Sequence, residues 1–479
     1  MDLLAYNKAK KKGRKAMSYQ ITVKDILNVA NGKLIFGNEN VICQDFCTDS
    51  REVKLNDTYV GMKGEKADGN QFYEMAIQKG ASCCILQGVE IKEEIGIKYP
   101  QATIIIVENT VKALQQIAAY KRSLYDIPVI AITGSVGKTS TKDIVASTLS
   151  KKFHVLKTQG NFNNEIGLPL TILRLKDHDA MVVEMGMNSF GEIQLLTNIA
   201  KPTVAVITNI GTAHIGMLGS RENILKAKLE ILEGLQENGT VIINNDNDLL
   251  HSWYKNEKSK YSIITYGIQN PSDIQASNIT SNEEGSTYTA KIKEKSYPVT
   301  VKVGGEHFVY NSLCAIAVSK VFDIPMQDVL NGILEFELTK KRMEMKKAKN
   351  GALVINDCYN ANYDSMKAAL DYLGKMSNTR KIAVLGDMLE LGDYSKKLHE
   401  KVGEVVAENK IDMLICVGNE AKNIAKKAEE KGMKKENIFL TNSNEEAIQI
   451  LQEKMQKEDA ILLKASNGLN FTQICNAIC

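Results

Sequence analysis

The chain has 479 residues, 44% of them hydrophobic and 24% charged, with 33 Gly and 7 Pro. That is the composition of a soluble globular protein with room for about three domains. It excludes a membrane span, since no apolar run approaches roughly 20 residues, and the net charge of +3 is too small to make nucleic acid a main partner.

Residues 1–17 come first. Lys8, Lys10, Lys11, Lys12, Arg14 and Lys15 against Asp2 give the first sixteen residues +5, so the chain's +3 leaves the remainder at −2. The segment reads as a disordered basic tail, with weak attraction to anionic lipid or RNA as the sharper alternative. It has no apolar stretch ahead of a small-residue cleavage site, so a secretory signal is not expected. Nine scattered cysteines, with no second half of a zinc motif, read as reduced, mostly buried thiols of a cytoplasmic protein.

Residues 18–126 mix short strands, such as Ala102 to Val107, with helices such as Val111 to Lys121, and predict a small mixed α/β domain. Residues 127–338 open with an apolar strand, Val129 to Thr133, then a Gly-containing turn and a helix from Lys138. Strands at Met181 to Met185, Thr203 to Ile207 and Thr240 to Ile243 alternate with helices at Gly191 to Ala200 and Arg221 to Leu235. This alternation predicts a central domain built on a largely parallel sheet. From 339 to 479, strands at Ala352 to Ile355, Lys381 to Leu385, Met413 to Val417 and Ala460 to Leu463 alternate with helices from Ser365, Lys396, Ala421 and Glu445. That is a doubly wound, Rossmann-like domain. The expected fold class is α/β with three domains.

The strand-turn-helix at Gly134, Ser135, Val136, Gly137, Lys138, Thr139 and Ser140 has the Gly-Lys-Thr ending of a P-loop, although Ile132 stands where the general pattern has Gly. Backbone amides there can cradle phosphates, Lys138 can neutralise the β and γ phosphates, and Thr139 can reach Mg²⁺. ATP is the expected nucleotide. Glu184, inside the apolar run Met181 to Met185, is the leading metal ligand, because an ionised carboxylate there is costly without a cation. The alternative is a strand-end carboxylate facing water. His214 could ligate a second metal. Lys228, within Lys226 Ala227 Lys228 Leu229 Glu230, reads by pattern as a solvated lysine on a charged helix.

Taken together, the loop Thr133 to Thr139, Gly160 Asn161 Phe162 Asn163 Asn164 Glu165 Ile166 Gly167, Glu184 Met185 Gly186, Thr208 Asn209 Ile210 with His214, Lys226 Ala227 Lys228, Gly305 Glu306 His307 with Asn311, and Lys341 Arg342 resemble the Mur ligases in order and spacing. These are ATP-dependent, amide-forming ligases of peptidoglycan precursor synthesis. Tyr359 Asn360 Ala361 Asn362 and Gly386 Asp387 Met388 with Glu390 Leu391 Gly392 look like the branch of the family that adds a dipeptide. The Asp-Asn-Pro-Arg motif of the diaminopimelate-adding branch is absent from the sequence.

The resemblance implies that UDP-N-acetylmuramoyl-tripeptide and D-alanyl-D-alanine are joined through an acyl phosphate. Its implied ATP contacts are residues 134–140, His307, Asn311, Arg342 and Asp357. Ser50, Arg51, Asn161 and Asn164 would contact the UDP-linked substrate, and Thr139 and Glu184 would hold one Mg²⁺. His214 and a carbamylated Lys228 would hold a second. Lys138, Lys228, His214 and Arg342 would be catalytic, and the family resemblance suggests a monomer. Three departures stand out: Phe308 where many relatives have Asn, Asn356 for a second Asp, and Asn467 for Arg in Lys464 Ala465 Ser466 Asn467 Gly468. The rival readings are a folylpolyglutamate- or cyanophycin-type ligase and a non-catalytic nucleotide-binding protein. The third residue of the tripeptide, lysine or diaminopimelate, has no legible motif.

Overall fold

The computed structural model describes residues 18–257, 260–282, 284–376 and 380–479, so the reading of the basic tail lies outside the described residues. Three α/β domains, each built on its own sheet, follow one another along the chain. In the first, the strand order is Ile21–Thr22, Ile42–Cys47, Asp57–Val60, Cys83–Leu86, Thr103–Ile106 and Lys33–Phe36. The four middle strands run parallel and both edge strands antiparallel. Helix Thr110–Ser123, capped by the Asn109 side chain on Lys112 N, closes this unit and carries its buried face toward the second.

The second sheet has nine strands, and Val129–Thr133 is flanked in it by Val204–Ile207 and Ala180–Glu184, all parallel. These strands are buried along their whole length, which is why they read as continuous apolar runs rather than alternating ones. The chain leaves Val129–Thr133 toward one edge and returns on its other side, so a topological switch point lies at its carboxyl end, where open α/β sheets bind ligands. Beyond Ser262–Gly267 the sheet continues through Ile274–Asn282, Gly285–Ile292 and Lys295–Val301, the last two joined antiparallel. The sequence reading did not anticipate this extension, because its Lys, Thr, Ser and Asn content carries little apolar signal. The predicted helix Arg221 to Leu235 is shorter: it ends at Leu229 and tightens into a 3₁₀ turn at Glu230–Leu232. Gly234 then packs on Thr197, whose carbonyl oxygen would lie 2.2 Å from a Cβ at that position.

The third sheet has the order Glu344–Lys347, Leu353–Asn356, Asp459–Lys464, Arg380–Gly386, Met413–Val417 and Ile438–Thr441, parallel except at its first strand. One buried apolar cluster runs through all three domains, and the outer faces of the first and third sheets each carry a smaller one. All nine cysteines are free and seven are buried. Among the described residues no helix is long and apolar enough to cross a membrane.

Candidate active site

Because Val129–Thr133 lies between two parallel neighbours, three loops emerge side by side at one end of the central sheet. Gly134 follows the middle strand with φ +151, and a Cβ there would stand 1.9 Å from Thr208 Oγ1. The glycine is therefore needed at 134, whereas Ile132 is fully buried in the strand. Asn209 shapes the loop from the next strand: its Oδ1 accepts from Val136 N at 2.9 Å, its Nδ2 donates to Val136 O at 3.1 Å, and its carbonyl accepts from Ser135 N at 3.1 Å. Thr208 Oγ1 donates to the same Val136 carbonyl at 2.7 Å. Helix Lys138–Leu149 starts after Gly137, φ +84, with no side-chain cap on its first turn. Uncapped amides at a helix start suit an anion.

Lys138 Nζ folds back onto Gly134 O at 2.8 Å. Burial pulls its ammonium below the ordinary lysine range, Glu184 opposes that, and Arg342 adds to it. Glu184 is 2% exposed; its Oε2 accepts from Thr139 Oγ1 at 2.9 Å and its Oε1 from Asn163 Nδ2 at 2.8 Å. The water-facing alternative for Glu184 is thereby overturned. Asn161 and Asn164 line the same polar chamber, and Asn164 also accepts from Gly167 N at 2.8 Å.

Lys228 corrects the sequence pattern. It is 2% exposed, its side chain has no hydrogen-bond or ion-pair partner among the described residues, and it is pushed well below the ordinary lysine range by burial and then by Lys138. Ile224 and Ile231, fully buried on either side, show why: Lys228 sits in an apolar stripe at helical spacing.

Two elements of the third domain complete the chamber. Arg342 Nη2 donates to Thr139 Oγ1 at 3.3 Å, and its guanidinium lies 3.8 Å over the Tyr359 ring. Its buried Nε has no hydrogen-bond partner among the described residues, an orphaned cationic donor. His214, at φ +62, has Nδ1 2.8 Å from Glu390 Oε2, a close ion-pair approach without the alignment of a hydrogen bond. The imidazole holds the Glu390 carboxyl below its usual range.

A second, narrower cavity shares Val136, Gly137, Thr139 and Arg342 with this chamber and also has Ser140 in its wall. Phe308, 1% exposed, and Tyr266 give it an apolar side, so the first departure forms part of the wall of this slot. Asn311 Oδ1 accepts from Thr141 Oγ1 at 3.0 Å, and burial pushes His307 down to about 4, keeping it neutral. Asp357 Oδ2 is 2.5 Å from Lys464 Nζ, a buried pair for which the sequence reading gave Lys464 no role. Asn356 instead donates to Glu344 Oε2 at 2.9 Å, and Asn467 opens a 3₁₀ turn.

Ser50 and Arg51 are not brought into either cavity. Ser50 is buried with Oγ 3.6 Å from Met75 Sδ; Arg51 is exposed and clasps Asp49, whose carboxyl it holds down to about 2.

The fold and site define a nucleotide-dependent enzyme whose phosphate loop is met by an arginine from a neighbouring domain. Residues 46–122 match the catalytic domain of the Mur ligase family, 132–319 the Mur ligase middle domain and 341–467 the Mur ligase glutamate ligase domain. The chain belongs to the Mur ligase family. It is 37% identical over 457 residues to the UDP-N-acetylmuramoyl-tripeptide–D-alanyl-D-alanine ligase of Bacillus subtilis (strain 168), covering 95% of this chain and 97% of that protein. To the enzyme of the same name from Escherichia coli (strain K12) it is 32% identical, covering 85% and 87%. Among solved structures it resembles MurF from Acinetobacter baumannii, with TM-score 0.85, 29% identity and coverage of 96% and 98%. MurF ligase from Thermotoga maritima in complex with ADP gives 0.78, 27%, 91% and 96%.

Proposed function

We infer that this chain is the ATP-dependent ligase that joins D-alanyl-D-alanine to UDP-N-acetylmuramoyl-tripeptide in peptidoglycan precursor synthesis, releasing ADP and phosphate. The observation that carries the chemistry is the meeting of Lys138, Thr139 and Glu184 from the central domain with Arg342 from the third. In the proposed course, a carboxylate oxygen of the tripeptide attacks the γ-phosphorus and ADP leaves. The dipeptide amine then attacks the acyl carbon, phosphate leaves, and the amine gives up a proton.

Two anions meet in the first step, so placed positive charge is the main requirement. Lys138 would lie along the β and γ phosphates, and the orphaned Arg342 Nε would be satisfied by a γ-phosphate oxygen. His307 and Asn311 would line the adenine slot with Phe308, and Asp357, oriented by Lys464, would meet the ribose. The site residues fit Mg²⁺: Glu184 and Thr139 offer hard oxygen donors beside a phosphate cradle, and Mg²⁺ takes one or two carboxylates plus phosphate oxygens. Thr139 and Glu184 would hold one ion, and His214 with a carbamylated Lys228 a second. Bound there, the ions would neutralise phosphate and carboxylate charge. An unpartnered, buried lysine depressed toward its neutral form is the amine that carbon dioxide can modify.

We assign residues 18–126, with Ser50 and Arg51, to the UDP-sugar end, 127–338 to ATP, and 339–479 to the dipeptide side, in a cytoplasmic monomer. Asn161 and Asn164 would meet the tripeptide end of the nucleotide. The test is phosphate release by purified protein given ATP, each tripeptide form and D-alanyl-D-alanine. Release that depends on all three supports the reading, and ATP binding without turnover defeats it. Wild-type activity of Lys228→Ala without added carboxylate would defeat the carbamate.

A further inference from the structure

Two carboxylates outside this chemistry tie the central and third domains together. Asp143 lies on helix Lys138–Leu149, and its Oδ2 accepts both the N–H, at 3.1 Å, and the hydroxyl, at 2.7 Å, of Thr339. Thr339 stands three residues before Arg342, within roughly 10 Å of chain. Asp364 lies in the first turn of the third domain's helix Tyr363–Lys375, and its Oδ2 accepts both the N–H, at 2.6 Å, and the hydroxyl, at 2.8 Å, of Thr212. Thr212 stands two residues before His214.

The same contact is thus made twice in opposite directions, each carboxylate gripping a threonine that belongs to the other side of the junction. The Asp364 grip reaches the phosphate loop directly. Gly211 N donates to Ser135 Oγ at 2.9 Å, and a Cβ on Gly211 would lie 2.3 Å from Asp364 Oδ2, so the carboxylate rests on the backbone between Ser135 and His214. Charge-assisted bonds of this kind are short and directional. A shift of an ångström or two between the domains would break both bonds of a grip together.

We propose that Asp143 and Asp364 are positioning residues, a reciprocal pair of clasps that set the closed arrangement in which Arg342 meets Thr139 and the His214 loop covers the phosphate loop. The proposal rests on the ligase reading of the site. The clasps then govern turnover more strongly than nucleotide affinity: the phosphate cradle made by Asn209, Thr208 and Gly137 lies within the central domain, and only the part of the slot walled by Asp357 and Lys464 depends on the junction. Asp364 is the cleaner probe, since Asp143 Oδ1 also faces Lys157 at 2.8 Å and Lys142 at 3.2 Å.

The experiment compares Asp364→Ala, Thr212→Val and the double variant by steady-state ligation, ADP titration calorimetry and small-angle scattering with ADP and Mg²⁺. Asp364→Ala is expected to lower kcat about tenfold or more while the ADP Kd rises by a clearly smaller factor. Thr212→Val, which loses only the hydroxyl, lowers kcat at least about twofold, and the double variant is no worse than Asp364→Ala because both remove one contact. A kcat for Asp364→Ala within about twofold of wild type, a parallel fall in ADP affinity, or losses that multiply overturns the proposal. If Asp364→Ala does not fold, Thr212→Val alone decides by the same limit. If the wild-type protein forms no product, the ligase reading fails, and the clasps are judged by scattering: a radius of gyration equal in wild type and Thr212→Val/Asp364→Ala overturns them, and expansion of the variant supports them.

Discussion

The central domain meets its two neighbours in different ways. Toward the first domain, helix Thr110–Ser123 packs on helices Gly167–Leu173 and Glu192–Ala200. Arg122 is buried there and donates to the carbonyls of Ala200 at 2.7 Å, Lys201 at 3.3 Å and Tyr125 at 2.5 Å. Tyr125 in turn reaches the carbonyls of Leu175 and Lys176. Toward the third domain the apolar cluster also continues, but the contacts around the phosphate loop are polar: carboxylate to threonine, His214 to Glu390, Arg342 to Thr139 and Tyr394 Oη to Gly219 O. Apolar packing with buried donors on main-chain carbonyls makes a junction that stays shut. Polar groups that water can also satisfy make one that opens at modest cost. The difference teaches where motion belongs in this enzyme: ATP must enter and water must leave on the third-domain side.

The comparison breaks most easily at Arg342. Arg342→Ala should lower kcat about 10³-fold, near 4 kcal/mol of barrier, because an arginine supplied across a domain boundary stabilises phosphoryl transfer on that scale. The thermal midpoint should barely move, and a coincident loss of stability in calorimetry would erase the distinction between the junctions. Arg122→Ala should do the reverse. Three carbonyls, two of them in buried contacts, lose their donor, a cost of about 3 kcal/mol in chemical denaturation, while kcat of the folded fraction stays within about twofold.

A smaller effect follows from His307, which titrates at about 4 instead of 6.5. Between those values the unfolded chain binds the proton that the folded one refuses, so the stability is present above pH 6.5 and lost as pH falls toward 4. His307→Gln should spare about 2 kcal/mol of the loss seen between pH 6.5 and about pH 5; equal acid limbs in urea titrations would refute this. The smallest test is Gly216→Ala. A Cβ there would come within 2.6 Å of Gly392 N and of the Leu391 carbonyl carbon, so the third domain must back away. Turnover should drop a few-fold, about 1 kcal/mol of barrier, although alanine is the better helix former. Unchanged kcat would show that the closed arrangement tolerates a wedge.

What the sequence displayed depended on how local each signal was. The strands around Val129–Thr133 were legible because burial on both faces leaves an unbroken apolar run, and Glu184 was legible because a carboxylate interrupts one. Lys228 was hidden by charged neighbours at 226 and 230, although Ile224 and Ile231 carried the stripe that buries it. The antiparallel strands Gly285–Ile292 and Lys295–Val301 were missed because an edge hairpin is made of residues that water also accepts. Neither clasp could be read at all: Asp364 and Thr212 are 152 residues apart, Asp143 and Thr339 are 196 apart, and nothing in the local sequence marks Asp143 as buried although it is 2% exposed. The part of the site that one strand-turn-helix builds is written locally; the part that two domains assemble is not.

The shared wall between the narrow slot and the polar chamber bears on inhibition. A small planar fragment in the slot would gain from burial against Phe308 and Tyr266, and an acidic fragment in the chamber would gain from Lys138 and Arg342. Each alone competes with a cellular nucleotide. Tethered past the turn Val136–Thr139, the second fragment would face its pocket at an effective concentration set by the tether, so weak affinities would combine multiplicatively without any new contact.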